Sequence, residues 1–403
     1  MKTNIVPTER FSVLRLERLS ETLGAYVDRG DLAGVVSRIY HKGNIVLAKE
    51  CGWADKESGR QMQDDTIFMI ASMTKPITAA AMMILYEEGH FDLNTPVREF
   101  IPAFKDLRVC TGANADGTLS LVALERDITI RHLFTHTSGI GGGFGESDTV
   151  ALEYRKLQQR YKAGKVPMTM ATVREDICSL PLASQPGTKV RYGESSEVLG
   201  MLVEIISGQR FDVFLEQRVF RPLAMTDTAF YVSTEKSARV AKVYGRSDPG
   251  QALHQLVDTR PPQEPPSFSS PSGGLVSTVG DYARFCLMLL NGGQLDGVRL
   301  LSPTTVAMFS MNHTPEEALR YLSTKGGLPG YGFGFGLSCR VLMDLSDSGS
   351  YGSEGEFGWF GVLTTSFWVD PRESLCGILL AQHSPMYIPI FKRFHQLTYQ
   401  AMV

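Results

Sequence analysis

The chain has 403 residues, 43% of them hydrophobic and 21% charged, with a formal net charge of -3. Single cores stop growing near ~250–300 residues, so a chain of this length is expected to form two lobes. The near-neutral balance excludes a basic field for nucleic acid or an anionic membrane, which leaves small-molecule chemistry as the expectation.

Taken in order, Leu16, Leu19, Leu23 and Val27 recur at three- and four-residue spacing and predict one face of an opening helix. The stretch "GVVSRIYHKGNIVLAKECG" reads as two β-rich runs around the turn His41-Lys42-Gly43-Asn44, a hairpin. A helix and a hairpin thus precede the segment "IASMTKPITA" at residues 70 to 79. From about 96 to 324 the patterns are mainly helical, as in "SSEVLGMLVEIISG" and "VGDYARFCLMLLNGG", with a proline-rich loop, "TRPPQEPPSFSSPSGG". Strand-like segments return in "YGFGFGLSCRVL", "GWFGVLTTSFWVD" and "LCGILLAQ", the last two separated by the turn Pro371-Arg372-Glu373-Ser374, and "IPIFKRFHQLTYQAM" closes with helical periodicity. The predicted fold is α+β: an antiparallel sheet built from both termini, residues 1–95 and 325–403, flanked by helices, with residues 96–324 as a large, mainly helical inserted lobe.

The six cysteines, at 51, 110, 178, 286, 339 and 376, are far apart with no CxxC or Cys/His cluster, so they read as reduced core residues and not as disulfides or a zinc site. Charges at Glu9, Arg10, Arg15, Glu17 and Arg18 interrupt the apolar stretch that a signal peptide needs, and no run reaches ~18 apolar residues. A cytoplasmic protein is expected, with no membrane partner.

The S-x-x-K spacing occurs twice, as Ser72-Met-Thr-Lys75 and Ser233-Thr-Glu-Lys236. Ser72 opens the apolar segment "PITAAAMMILYEEG", whereas Ser233 lies in the polar stretch "STEKSARV", so only the first pair can stand in a dry cleft. Residues three apart share a helix face, which brings the Lys75 amine within reach of the Ser72 hydroxyl. The free N–H groups and the positive dipole end of the helix favour negative charge developing there. To work as a base near neutrality Lys75 must be buried beside another polar group, since an exposed ammonium keeps its proton. From the motif alone, a capping serine followed by a surface lysine is an equal alternative.

The wider sequence resembles the serine hydrolases shaped like class C β-lactamases, which include penicillin-binding DD-peptidases, family VIII carboxylesterases and fungal polyketide acyltransferases. The resemblance runs through "GWADKESGRQMQDDTIFMIASMTKPITA", "ITIRHLFTHTSGI", "PGTKVRYGESSEVLGMLVEIISG", "PLAMTDTAF", "PSGGLVSTVGDYARF" and "GWFGVLTTSFWVDP". It implies Ser72 as nucleophile and Tyr192, in "YGESSEVLG", as a partner of Lys75 in proton transfer. The family's Y-x-N asparagine is replaced by Glu194, which weakens a β-lactamase reading, and Ser195 is the candidate to take over part of its polar work. The family's K-T-G strand, W-G-G in many of its esterases, corresponds to Trp359-Phe360-Gly361 here, and all three are candidate substrate-binding residues. The resemblance also implies an oxyanion hole from the N–H groups of Ser72 and Val362. The sequence "TKGG" at 324 to 327 precedes a strand and is set aside.

His132 and His136 lack a third ligand or an HExxH glutamate, so they read as structural, and neither a metal nor any other cofactor is expected. The expected function is a carboxylic ester hydrolase acting on small, short-acyl esters through an acyl-enzyme on Ser72. The alternatives are an acyltransferase of the same fold, a weak β-lactamase or D-peptidase, and a non-catalytic binding protein. An α/β-hydrolase is disfavoured because no G-x-S-x-G elbow exists and His383 has no serine partner in sequence.

Overall fold

The computed structural model describes residues 2–143, 145–248, 251–257, 259–325 and 328–403. Eight strands form the path of its main sheet: β1 (Lys2–Ile5), β2 (Gly34–His41), β3 (Asn44–Asp55), β4 (Phe333–Phe335), β5 (Arg340–Leu342), β6 (Phe357–Gly361), β7 (Thr365–Asp370) and β8 (Leu375–Leu380). Their spatial order is β1-β3-β2-β8-β7-β6-β5-β4, with Arg60–Gln61 pairing β3 off this path as a ninth strand. Every pairing is antiparallel. The sheet is therefore assembled from the two ends of the chain, with β2 against β8 as the seam.

The central strands are buried on both faces, so they read as nearly continuous apolar runs and not as an alternation. Odd and even residues nevertheless separate: Val35, Ile39, Trp368, Leu375 and Leu379 join one core cluster, while Val36, Phe367, Val369, Cys376 and Ile378 join the other. Helix α1 (Val13–Asp28) buries Leu16, Leu19 and Leu23 in the first cluster, at about 1.5–3 kcal/mol for each such side chain. The last helix, α7 (Ile388–Ala401), lies beside α1 and adds Ile390, Phe394 and Leu397. It is also pinned by polar contacts: His395 Nε2 meets the Glu356 carboxylate at 2.9 Å, and Tyr399 Oη bridges Glu356 and Asp370 at 2.6 and 2.8 Å.

The second cluster extends without a break from the sheet into the helical segment. Helix α2 (Thr74–Glu87) is buried over almost its whole length, and the run Ala79-Ala80-Ala81 lets α5 (Ser195–Ser207) pack close to it. Helix α6 (Val279–Leu290) seats Tyr282, Phe285 and Cys286 in the same cluster. Two further helices, α3 (Thr149–Lys162) and α4 (Met170–Ser179), cover the outer part of this lobe.

Some local expectations are corrected. An edge strand, β1, precedes the opening helix. The segment "GWFGVLTTSFWVD" is two strands, because Thr364 turns the chain with φ 66° and sends β7 back along β6. The inserted segment carries its own hairpin, Arg108–Ala113 with Leu119–Ala123. Of the six cysteines, all unpaired, Cys110 and Cys178 are half-buried and the other four are buried. A helix runs over Glu316–Lys325 into "TKGG"; Gly326 and Gly327 lie outside the described residues. Among the described residues no helix is long and apolar enough to cross a membrane.

Candidate active site

Phe68–Met69 pairs with Val276–Ser277, and the chain then turns sharply at Ala71, whose φ of 46° is unusual for a residue with a Cβ. A single 3-10 turn, Ala71–Met73, carries Ser72 and runs directly into α2. The Ser72 side chain caps neither helix. Its Oγ instead accepts a hydrogen bond from Lys75 Nζ at 3.2 Å. Lys75 is 4% exposed, and its amine also donates to the Ser272 carbonyl at 2.7 Å. The capping-serine, surface-lysine alternative is thereby removed. At the second S-x-x-K site, Lys236 is tied to Asp227 at 2.8 Å on the outside of the protein.

Tyr192 lies in the loop that leads into α5. Lys75 Nζ stands 4.7 Å above its ring centroid, and its Oη accepts from Trp359 Nε1 at 3.1 Å. The His136 ring packs against Tyr192 with centroids 4.7 Å apart. Burial, aided by the nearby Lys75 charge, lowers the His136 pKa to about 3, so the ring is neutral. Among the described residues neither of its nitrogens has a hydrogen-bond partner, so the ring serves as a packing wall for the tyrosine. His132 closes a capping box with Thr129 at the start of the short helix Ile130–Phe134. Among the described residues no group of three or more His, Cys, Asp and Glu side chains is set to hold a metal.

Two carboxyls stand behind the lysine. Glu197, in the first turn of α5, accepts from Ser270 Oγ at 2.9 Å and Ser272 Oγ at 2.6 Å through Oε1, while Oε2 is buried and has no partner among the described residues. Burial pushes the Glu197 carboxyl up, and Lys75 and the serine hydroxyls pull it back. Glu194, at the position of the family's asparagine, accepts from Gly142 N at 2.9 Å and is likewise pushed up by burial. Glu197 escaped the sequence reading, although it is the one acidic residue in the first half of its helix, directly before the apolar run that begins at Val198. Ser272 had no signal to offer, because it meets Lys75 through a backbone carbonyl.

Strand β6 forms the other wall. Its neighbour β5 pairs only with Phe357 and Gly358, which leaves the edge at Trp359–Gly361 free. Ser72, Tyr192, Trp359, Phe360 and Val362 all line one cavity of about 630 Å³. Among the described residues neither the Ser72 nor the Val362 N–H has a hydrogen-bond partner. Phe360 is half-buried and stacks on Trp359 with centroids 4.9 Å apart and planes at 15°. A second cavity, of about 370 Å³, reaches Lys75, Tyr192, Glu194 and Glu197 from the α3 and α4 side.

Two candidate residues are placed elsewhere. Ser195 is fully buried, its Oγ 2.8 Å from Ser138 Oγ, because the first turn of α5 directs it into the lobe. It cannot stand in for the missing asparagine. Gly361 is absent from the cavity wall; a Cβ there would lie 2.4 Å from the Ile70 carbonyl oxygen, so it is a close-approach glycine between β6 and the Ser72 turn.

A family description, Beta-lactamase, matches residues 19–387. The chain belongs to the beta-lactamase family. Protein Rv1367c of Mycobacterium tuberculosis is 36% identical over 362 residues, 89% of this chain and 88% of that protein. Esterase EstB of Burkholderia gladioli is 29% identical over 377 residues, 87% of this chain and 86% of that protein. The solved structure of simvastatin synthase LovD from Aspergillus terreus shares the fold with a TM-score of 0.80 at 22% identity, covering 96% of this chain and 98% of that chain. Membership of this family, with esterases among the relatives, supports a hydrolase of the serine type.

Proposed function

We propose that the protein is a carboxylic ester hydrolase acting on short-acyl esters through an acyl-enzyme on Ser72. The observation that carries this reading is the 3.2 Å contact between Ser72 Oγ and the amine of a buried lysine stacked on Tyr192, at the mouth of an apolar cavity. Ser72 Oγ attacks the ester carbonyl carbon while the Lys75–Tyr192 unit takes its proton. The carbonyl oxygen gains negative charge, which the Ser72 and Val362 N–H groups and the positive end of α2 stabilise. The carbon–oxygen bond to the alcohol then breaks, and the same unit returns the proton to the departing alkoxide. Water repeats the cycle, adding to the acyl carbon, releasing the carboxylic acid and restoring the Ser72 hydroxyl.

Two features argue against β-lactams as principal substrates. Glu194 places a carboxyl where the family's asparagine binds the amide, and Trp359 supplies no cation to meet the β-lactam carboxylate. The esterase relative supports the choice among hydrolase classes. The test is p-nitrophenyl butyrate turnover with fluorophosphonate labelling and peptide mapping. Parent protein should label at Ser72, and folded Ser72→Ala should neither label nor turn over the ester; activity retained by Ser72→Ala, or an adduct on another residue, sinks the proposal.

A further inference from the structure

The shorter of the two hydrogen bonds made by the Lys75 amine goes to backbone. Nζ lies 2.7 Å from the Ser272 carbonyl oxygen and 3.2 Å from Ser72 Oγ, so the carbonyl sets where the amine stands. Committing one N–H to that carbonyl fixes the direction of the remaining N–H and lone-pair positions. A lysine stem is long and flexible, so the bearing of the amine on Ser72 depends on how firmly the carbonyl is held.

The carbonyl belongs to an irregular segment, residues 269–275, with neither helix nor strand of its own. Helix α2 grips it from one side. Thr78 Oγ1 donates to the Pro271 carbonyl at 2.7 Å, and Leu275 N donates to Thr74 Oγ1 at 3.2 Å. Helix α5 grips it from the other, where Gly200 allows a close approach: a Cβ there would lie 2.1 Å from Pro271 Cγ. Beside this contact a single oxygen, Glu197 Oε1, accepts from both Ser270 Oγ at 2.9 Å and Ser272 Oγ at 2.6 Å. Backbone carbonyls thus face the lysine helix, and the hydroxyls of the same residues are tied to the carboxyl on the tyrosine side.

Glu197 is only 7% exposed. A buried carboxyl costs stability that an apolar side chain of similar volume would not, and its neighbours Val198 and Leu199 show that the helix otherwise buries such side chains here. What the carboxyl supplies in return is a fixed anchor for Ser272.

We infer that Glu197 is a positioning residue of the proton-transfer unit: through the Ser270 and Ser272 hydroxyls it holds the Ser272 carbonyl in line with the Lys75 amine, and so keeps that amine aimed at Ser72. The residue is no part of the wall of the larger cavity, so it acts through Ser272 and Lys75 and not on the ester. This rests on the esterase reading above and adds a residue to its machinery.

The experiment measures kcat and KM for p-nitrophenyl butyrate, and the rate of fluorophosphonate labelling at Ser72, in the full chain. Glu197→Ala should lower kcat by about 100-fold, the cost of a misplacement of about 1 Å, with KM within about threefold of the parent because no substrate contact is lost. Labelling should slow by a similar factor, since it draws on the same amine. Glu197→Gln keeps an oxygen where Oε1 stands and puts its NH2 where Oε2 has no partner among the described residues, so it should restore kcat to within about tenfold of the parent. Ser272→Ala deletes only the 2.6 Å contact, leaves the carbonyl in the chain, and should lower kcat by about tenfold; this small deletion serves as the test if Glu197→Ala does not fold. The Glu197→Ala/Ser272→Ala pair should lie within about threefold of Glu197→Ala alone, because both changes release one carbonyl. A residue that only supported the fold would lower Tm and leave kcat of the folded protein unchanged. In a parent that labels at Ser72, kcat within about threefold of the parent for folded Glu197→Ala or Ser272→Ala, or a Glu197→Gln protein as impaired as Glu197→Ala, overturns this inference and leaves the nucleophile standing. A parent that does not label at Ser72 overturns both.

Discussion

Replacing Gly361 by alanine tests the contact on which the oxyanion site depends. A Cβ at this position lies 2.4 Å from the Ile70 carbonyl oxygen, 2.4 Å from Thr365 Oγ1 and 3.2 Å from Ala71 Cβ. Ile70 and Ala71 lead straight into Ser72, and Gly361 leads into Val362, so the intruding methyl pushes apart the two segments whose N–H groups are proposed to hold the oxyanion. Reaching ordinary contact at 3.4 Å requires the segments to separate by roughly 1 Å. The separation also opens the hydrogen bond from Thr365 Oγ1 to the Ile70 carbonyl, 3.1 Å long. A misplacement of about 1 Å costs on the order of 100-fold in rate, equivalent to about 2.7 kcal/mol of barrier. Overpacking should destabilise the fold by a further ~1–3 kcal/mol. The assay is kcat for p-nitrophenyl butyrate well below the melting temperature, alongside the rate of fluorophosphonate labelling at Ser72, which draws on the same donors. Both should fall together by about 100-fold in protein that remains folded. A Gly361→Ala protein with unchanged Tm and kcat within about threefold of the parent would refute the reasoning, since it would show that the two segments do not need this approach.

Lys75→Ala and Tyr192→Phe should each lose several orders of magnitude in kcat, and the double variant little more, because residues acting as one proton-transfer unit are non-additive; fully multiplicative losses would show independent roles. His136, held at about 3 by burial against 6.5 when unfolded, is neutral in the folded protein, so its contribution to stability is complete above pH 6.5 and is lost as pH falls from there toward 3. Melting temperature measured from pH 7 to pH 4 should therefore drop, with His136→Phe showing a shallower slope; parallel curves for parent and variant would exclude the ring as the source. Phe360→Gly should raise activity on bulky esters relative to p-nitrophenyl acetate by opening the cavity beside Trp359, whereas a lower Tm with a flat substrate profile would make Phe360 a packing residue only.

The catalytic candidates were legible because they depend on short-range geometry. Ser72 and Lys75 are three residues apart at the entry of a helix whose apolar composition announces its burial, and that is enough to bring hydroxyl and amine together. Tyr192 lies 117 positions beyond Lys75 in the chain, and nothing in its own surroundings specifies a partner. Its candidacy came from resemblance, and only the packing of α2 against α5 brings its ring under the lysine. Position 195 shows the limit of motif matching: a serine one place from the family's asparagine is directed into the lobe, since each helical residue turns the side chain by roughly 100°.

What the sequence alone determined is what repeats locally: the helix and strand periods, the assembly of a sheet from both ends, and a serine and a lysine on one helical turn. The α7 wall of the larger cavity, the Ser272 carbonyl on Lys75 and the close approach at Gly361 were decided by tertiary structure alone. Each joins residues far apart in the chain, through a backbone carbonyl or through the packing of a helix on the sheet, and such contacts leave no signature in the order of the side chains.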